Sequence, residues 1–250
     1  MIDIIRASER HFSDFDWLQT YWLFSFSSYY DPHNIQFGAL RVFNDDVVQP
    51  GRGFPTHPHE EMEIVTIVLD GEMTHEDSMG NKTVIRAGDV QRMSAGTGLT
   101  HSEFNRADKP VHFYQIWIFP DTAGLKPSYD QRHFEPDQWQ DRLLAVASGQ
   151  GMEGAVTFHT DATIYRCSLD EGKTVALNDI QGRRIFVYLT DGRLVVHGHV
   201  IEKNDQVRID KDDPLVLKAL TPTQFIVVDV PSCKGYGYDT QTLRGARDTA

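Results

Sequence analysis

The chain has 250 residues, of which 40% are hydrophobic, 11% aromatic and 24% charged, and its net charge is −12. This composition is too apolar for a disordered chain, and no apolar run reaches the roughly 20 residues of a membrane-spanning helix. The acidic charge, without any block of Lys or Arg, disfavours direct binding to nucleic acid. We expect a globular cytoplasmic protein, because the first ten residues lack the layout of a signal peptide and Cys167 and Cys233 form no CxxC motif.

Short alternating segments bounded by Gly, Pro, Asn and Asp predict an all-β fold of the sandwich or barrel type. The predicted strands are 36–43, 62–69, 82–86, 111–119, 163–169, 184–189, 194–196, 207–209, 215–219 and 224–230. One short helix is predicted over 135–142, where Pro and acidic residues would fill the first turn. Turn-rich flanks place the domain division within 125–155, and we assign 1–133 and 134–250 to two β domains.

A weak internal repeat supports a pair of related domains. Leu69–Glu72 followed by Arg86–Asp89 recurs as Thr190–Arg193 followed by Lys203–Asp205. Each copy has an Asp-Gly turn and then, about 15 residues later, a second polar turn, which is the pattern expected of a repeated hairpin. The sequence therefore suggests that one domain arose by duplication of the other.

Four potential metal ligands occur in two pairs, His57 with His59 and His101 with Glu103. Within each pair the spacing is i, i+2, which on a strand places both side chains on one face, and both face inward if the strands line a barrel. Three imidazoles and a carboxylate suit iron, copper, nickel, manganese or zinc, without the thiolates of a closed structural zinc site. We predict that these four residues bind one metal and leave positions for substrate or dioxygen.

The corresponding positions of the second domain lack ligands. Counting back equally from the two turn glycines places Asn178 and Ile180 where the first copy has its His-x-His pair, and Arg184 in the slot of Glu63. An amide, a hydrocarbon and a cation do not suit a first-row metal. The second domain is therefore predicted to bind no metal.

Other histidines and one acid remain open. Glu63 is a rival ligand that we interpret as a neighbouring or ion-paired residue, and we assign no role to His75 or His112. His197 and His199 repeat the i, i+2 spacing in the second domain, but they follow the Asp-Gly turn, where a solvent-exposed hairpin end is expected.

Several motifs resemble the pirin family of cupins, namely His57-Pro58-His59, His75–Gly80, Ala87–Gln91 and Thr100–Glu103. This resemblance implies two cupin barrels (double-stranded β-helices, or jelly rolls) face to face, with one metal in the N-terminal barrel. The metal is typically iron, so we expect Fe(II), with copper, nickel, manganese, cobalt and zinc as alternatives. Many cupins take their carboxylate from the first motif, but pirins take it from the position of Glu103.

The resemblance also implies a function. Some pirins are similar in activity to quercetin 2,3-dioxygenases, so the expected partners are a flavonol or related phenolic and dioxygen. Glu103 would bind the metal and accept the hydroxyl proton of the substrate. The alternative is a non-enzymatic, iron-dependent redox sensor that regulates a protein partner, which the sequence does not identify. Neither nucleic acid nor a membrane is expected as a partner.

Overall fold

The computed structural model describes residues 1–178, 180–210 and 213–232, and they form two compact units. The first, which we call the histidine unit, comprises His11–His133 and Val156–Thr160. The second unit comprises Met1–Arg10, Phe134–Ala155 and Asp161–Ser232. The domains 1–133 and 134–250 remain predictions. The two units differ from them in two short segments: Met1–Arg10 belongs to the second unit, and Val156–Thr160 belongs to the histidine unit.

The described residues are almost entirely β-structure, as predicted, and include two short 3₁₀ helices, Ala7–Glu9 and Pro136–Trp139. Within the described residues no helix has the length and apolar character needed to cross a membrane. The strands are β1 (Ile2–Ile5), β2 (His11–Asp14), β3 (Leu18–Trp22), β4 (Leu40–Val48), β5 (Gly53–His59), β6 (Glu63–Asp70), β7 (Glu72–Asp77), β8 (Lys82–Arg86), β9 (Asp89–Ser94), β10 (Leu99–Phe104), β11 (Val111–Ile118), β12 (Ser128–His133), β13 (Leu144–Ser148), β14 (Val156–Thr157), β15 (Thr163–Leu169), β16 (Thr174–Leu177), β17 (Arg183–Asp191), β18 (Arg193–Val196), β19 (His199–Glu202), β20 (Gln206–Ile209), β21 (Leu215–Ala219) and β22 (Thr223–Pro231).

Each unit contains a large and a small antiparallel sheet. In the histidine unit the large sheet has the order β12-β9-β6-β11-β4-β3-β2 and the small sheet has the order β5-β10-β7-β8. In the second unit the corresponding orders are β1-β20-β17-β22-β15-β13 and β16-β21-β18-β19. The two small sheets match strand for strand, so β16 and β21 of the second unit stand where β5 and β10 stand in the histidine unit.

The turns of the repeat are alike in structure. Gly71 and Gly192 both have positive φ angles, +77° and +84°, and each joins a strand of a large sheet to a strand of a small sheet. A Cβ atom at Gly71 would lie 2.7 Å from the carbonyl oxygen of Pro110, and one at Gly192 would lie 2.3 Å from that of Pro222. Only glycine satisfies both the conformation and the close approach, which explains why both copies keep it.

A polar row crosses the large sheet of the histidine unit. Gln115 lies opposite Asn44 on one side and Thr66 on the other, and Thr66 lies opposite Gln91. The row separates two apolar clusters, one formed by Leu18, Val48, Val68, Met73, Ile85, Val111 and Phe113 and the other by Met62, Ile64, Met93, Ala95, Leu99 and Phe119. The interior of this unit therefore consists of two apolar layers with a polar layer between them.

The prediction of a strand over 36–43 was wrong in its limits. Gly38 has a φ angle of +61° within a turn that joins Phe37 to Leu40, and β4 then runs to Val48. Its polar stretch, Asn44 to Asp46, resembles a turn in the sequence but lies inside the strand, where Asn44 belongs to the polar row. The helix predicted over 135–142 is a single 3₁₀ turn, Pro136–Trp139, that buries Trp139.

Gly53, at the start of β5, allows a close approach of β5 to β10. A Cβ atom there would lie 2.1 Å from the carbonyl oxygen of Glu103, whereas a Cβ at Gly51 would meet nothing within 4 Å. We therefore expect Gly53→Ala to lower the free energy of unfolding by about 3 kcal/mol through overpacking. Gly51→Ala should cost only about 1 kcal/mol, because of its positive φ of +69°.

Urea unfolding of both variants and the parent checks this expectation. The Gly53 variant measures the steric clash, and the Gly51 variant measures the cost of a left-handed backbone without a clash. Equal losses in the two variants would contradict a close approach of β5 to β10 at Gly53.

Candidate metal centre

Strands β5 and β10 place three histidines together. His101 lies directly opposite His57 in the antiparallel pairing, and Leu99 lies opposite His59. Burial along β10 alternates, so that Leu99, His101 and Glu103 are buried while the residues between them are more exposed. The predicted i, i+2 arrangement is therefore present on β10, and the partner strand brings its own pair alongside.

The three rings, which we call the histidine triad, converge on one point. The Nε2 atoms of His57 and His101 are 3.1 Å apart, and the ring centroid of His59 lies 4.7 Å from that of His57 and 4.9 Å from that of His101. One nitrogen from each ring lies within 4.8 Å of one from each of the others. A cation at this point could accept lone pairs from all three rings.

The hydrogen bonding of His57 and the lowered pKa values of His59 and His101 suit a cation. His57 donates its Nδ1 proton to the carbonyl oxygen of Pro55 at 2.7 Å, so a neutral His57 directs the Nε2 lone pair towards His101. Burial, with a smaller contribution from His57, lowers the pKa of His59 to about 3. Burial and the neighbouring histidines also lower the pKa of His101 far below its usual range. Neutral imidazoles are the form that binds a transition metal, so these residues fit a divalent ion of that class.

Glu103 lies beside the triad and is held by the polar row. Its Oε1 atom accepts a hydrogen bond from Gln91 Nε2 at 3.3 Å, and its Oε2 atom accepts one from Gln115 Nε2 at 3.0 Å. Thr66 joins the two amides, because its hydroxyl donates to Gln115 at 2.9 Å and accepts from Gln91 at 3.1 Å. The carboxylate therefore has a fixed orientation. It groups with His101 and His75 in a second set of candidate ligands, rather than with His57 and His59.

His75 was left unassigned by the sequence, yet it is completely buried against the triad. Its Nδ1 atom lies 3.5 Å from His101 Nδ1 and 4.0 Å from Glu103 Oε1, and its Nε2 atom donates to Asp77 at 3.2 Å. A usable signal was present, since His75 and Asp77 form another i, i+2 pair. Gln91 and Gln115 were also missed, although a glutamine within an apolar strand is itself a sign of a buried polar site.

Glu63 lies away from the triad. It accepts a hydrogen bond from Ser94 at 2.5 Å, and His159 Nδ1 lies 3.1 Å from its other oxygen. Because Glu63 is three residues from Thr66 on the same strand, the two side chains project from opposite faces of the sheet. The rival ligand thus belongs to a separate hydrogen-bonded group with Ser94 and His159.

The remaining histidines of interest lie outside the cluster. His112 pairs with Asp45 at 2.6 Å. His197 and Gly198 form the turn between β18 and β19, with φ angles of +46° and +81°, and His199 is exposed at the start of β19. This is the hairpin end expected from the sequence.

In the second unit, hydrocarbon occupies the positions that match the triad. Val175 lies opposite Leu217, and Leu177 lies opposite Leu215, as His57 and His59 lie opposite His101 and Leu99. The count back from the turn glycine that pointed to Asn178 and Ile180 is wrong by three residues. The link from β16 to β17 is two residues longer than that from β5 to β6, and β17 is one residue longer than β6. Among the described residues of this unit no group of three or more potential ligands converges.

Comparisons with known proteins place the chain in a family. The family model described as Pirin matches residues 5–118, and the model described as Quercetinase C-terminal cupin domain matches residues 145–230. The chain is 38% identical over 232 residues to quercetin 2,3-dioxygenase of Escherichia coli K12, an alignment that covers 92% of this chain and 99% of the relative. The chain belongs to the pirin family.

Other pirins and their structures support the predicted fold. This pirin is 40% identical over 230 residues to a putative quercetin 2,3-dioxygenase of Mycobacterium tuberculosis, with coverage of 90% and 93%. The crystal structure of E. coli YhhW matches it with a TM-score of 0.89 and 37% identity, over 94% of this chain and 100% of YhhW. A second YhhW structure, in complex with nickel(II), matches with a TM-score of 0.88 and 37% identity, over 93% and 100%. The all-β bicupin prediction is confirmed.

Asp46 is a buried acid on the strand that carries Asn44. Burial raises its pKa to about 8; the Thr20 hydroxyl opposes this shift, and the charges of Asp45 and Glu103 add to it. Its Oδ1 atom has no hydrogen-bond partner among the described residues. We therefore expect Asp46 to carry a proton at neutral pH, which would reduce the negative charge near Glu103.

We expect stability of the metal-free protein to fall as pH rises from about 4 to about 8, because the native state keeps the Asp46 proton that the unfolded state has lost. The decrease attributable to this group is at most about 1.4 kcal/mol per pH unit. Asp46→Asn keeps a neutral side chain of the same shape and should remove that contribution. Urea unfolding of both proteins across this range measures it, and identical slopes would show that Asp46 is ionised in the native state.

We expect His57→Ala, His59→Ala and His101→Ala each to lower metal affinity by more than about 100-fold, since losing even an outer partner of a ligand costs roughly 10- to 100-fold. The double variant His197→Ala, His199→Ala serves as the control and should keep the parent stoichiometry of about one metal per chain. Metal analysis after dialysis gives the stoichiometry, and competition with a chromophoric chelator gives the affinity. Loss of metal from the double variant would place ligands in the second unit.

Proposed function

We propose that the protein is a metal-dependent dioxygenase of the pirin type, which opens the central ring of a flavonol such as quercetin with dioxygen. The observation that carries this proposal is the convergence of the histidine triad, in which one nitrogen from each ring lies within 4.8 Å of one from each of the others, with Glu103 beside it. Relatives at 38% identity are named quercetin 2,3-dioxygenase, which supports the substrate class. We propose Fe(II) as the metal, and the nickel(II) complex of E. coli YhhW supports a divalent transition metal.

The proposed ligands are His57, His59, His101 and Glu103. When bound, a divalent transition metal with open coordination positions would attract the oxygens of the flavonol and supply the redox chemistry that dioxygen requires. The chain contributes a ring lone pair from each of the three histidines, and the lowered pKa values of His59 and His101 keep those two rings ready to bind at neutral pH. In the second unit the matching positions are apolar, so we propose one metal per chain, with 134–250 serving as a domain without ligands.

Glu103 is the proposed base for the flavonol hydroxyl. Each of its oxygens accepts one amide hydrogen bond, from Gln91 or Gln115, and each retains a further lone pair. The two amides restrict rotation of the carboxylate, and because they are neutral donors they form no ion pair with it. Glu103 and His101 are each only 1% exposed, so the proton would be transferred away from bulk water.

The direct test is incubation of the metal-loaded protein with quercetin in air, following the loss of visible absorption and the release of carbon monoxide. The metal-free protein is the reference. Loaded protein that leaves quercetin unchanged would contradict the enzymatic proposal and favour a metal-binding regulatory role.

We expect Glu103→Gln to weaken metal binding and to lower turnover by roughly 100-fold or more, because the amide keeps an oxygen donor but loses the basicity of the carboxylate. Glu63→Gln is the matched control, since Glu63 faces away from the triad; its turnover should stay within about threefold of the parent. Rates are compared at equal metal loading. A fully loaded Glu103→Gln protein with the parent rate would remove Glu103 as the base.

A further inference from the structure

The ring of His101 has a neighbour at each nitrogen. Its Nε2 atom faces His57 Nε2 at 3.1 Å, within the triad, while its Nδ1 atom faces His75 Nδ1 at 3.5 Å. A neutral imidazole has one bare nitrogen and one N–H group. If His101 gives its Nε2 lone pair to a metal, its proton must be on Nδ1, directed at His75.

His75 can accept that proton in a hydrogen bond only if its own proton is on Nε2. The Nε2 atom of His75 is 3.2 Å from Oδ2 of Asp77, a carboxylate that can only accept. Asp77 is itself fixed, because its oxygens accept hydrogen bonds from the backbone of Met79 at 2.9 Å, the backbone of Asn81 at 3.0 Å and the side chain of Asn81 at 2.8 Å. The proton of a neutral His75 is therefore drawn to Nε2, which leaves Nδ1 bare and facing His101.

The strand pairing also places Asp77, His75 and His101 next to one another. On β7, His75 lies opposite Glu103 and Asp77 lies opposite His101, so the pair projects towards the same interior as the two β10 residues. The ring of Tyr129 covers His75 with a centroid distance of 4.9 Å and a tilt of 33°. Both members of the pair have fully buried side chains.

We propose that Asp77 and His75 form a hydrogen-bond relay that holds His101 with its proton on Nδ1 and its Nε2 free for the metal. The two residues are positioning residues: they act on the metal only through His101. Ligand histidines generally donate their second ring N–H to such an outer partner, which fixes the tautomer and ring orientation. This inference rests on the proposed metal site, and it gives the His75–Gly80 motif a role.

The competing arrangement uses His75, His101 and Glu103 as a second set of ligands. It conflicts with the triad, because the single lone pair of neutral His101 cannot serve both sets. The short Nε2 to Nε2 distance to His57, compared with 3.5 Å to His75, favours the triad as the metal site and His75 as its outer partner.

Zinc-loaded protein with ¹⁵N-labelled histidine tests the relay, because zinc is diamagnetic and the ring-nitrogen shifts report which nitrogen binds the metal. We expect the parent to show metal on His101 Nε2 and a slowly exchanging proton on His101 Nδ1. A proton on Nε2 of His101 in the zinc-loaded parent would overturn the relay without any variant. Failure of the parent to bind zinc would instead count against the proposed metal site as a whole.

Variants give the second measurement. We expect His75→Ala to lower zinc affinity by roughly 10- to 100-fold and to abolish the slow exchange of the His101 Nδ1 proton. His75→Gln supplies an amide oxygen as acceptor and should recover part of the affinity. Asp77→Asn should resemble His75→Ala, whereas Asn81→Ala, which removes one bond to Asp77 but leaves its contact with His75, should change affinity by less than about threefold.

Two outcomes would overturn the relay and leave the metal site intact. The first is zinc binding in His75→Ala within about threefold of the parent, with the His101 signal unchanged. The second is an additional equivalent of zinc in the parent that disappears in His75→Ala, which would make His75 a ligand.

Discussion

The structure of the histidine unit depends on burying lone-pair-bearing groups inside an antiparallel β-fold. A polar group removed from water costs free energy unless it finds a partner, so three imidazoles and a carboxylate cannot occupy an apolar interior alone. Their surroundings meet this demand with hydrogen bonds: the Pro55 carbonyl accepts one from His57, and two glutamine amides each donate one to Glu103. Two apolar clusters lie on either side and supply the hydrophobic stabilisation that this polar layer lacks.

The second unit shows what the same backbone does without that constraint. Its small sheet has the same strand order, yet Val175, Leu177 and Leu217 fill the positions of the triad and join one continuous apolar cluster. The fold therefore tolerates either hydrocarbon or ligands at these positions. What the protein does is determined by side chains that the common framework carries, and the framework alone does not reveal it.

Much of this was predictable from sequence, and the omissions have a physical cause. The i, i+2 spacing of His57 with His59 and of His101 with Glu103 reflects a local property of strands, so it could be recognised from neighbouring residues alone. His75, Gln91 and Gln115 reach the site from three other strands, and only the register of the sheets brings them together. The C-terminal limit of β4 was misplaced because Asn44 lies in the polar row of the interior, which is the reverse of the usual pattern.

The segment Val156–Thr160 has a consequence for how the two halves evolved. It belongs to the histidine unit, although the chain on both sides of it belongs to the second unit, and through His159 it supplies the partner of buried Glu63. If the two halves descend from one duplicated ancestor, that ancestor had to satisfy this acid within a single copy. The first half now depends on the second for this contact, because a gene encoding only residues 1–133 would leave buried Glu63 with its Ser94 hydrogen bond but without His159. Selection would then retain the fused pair.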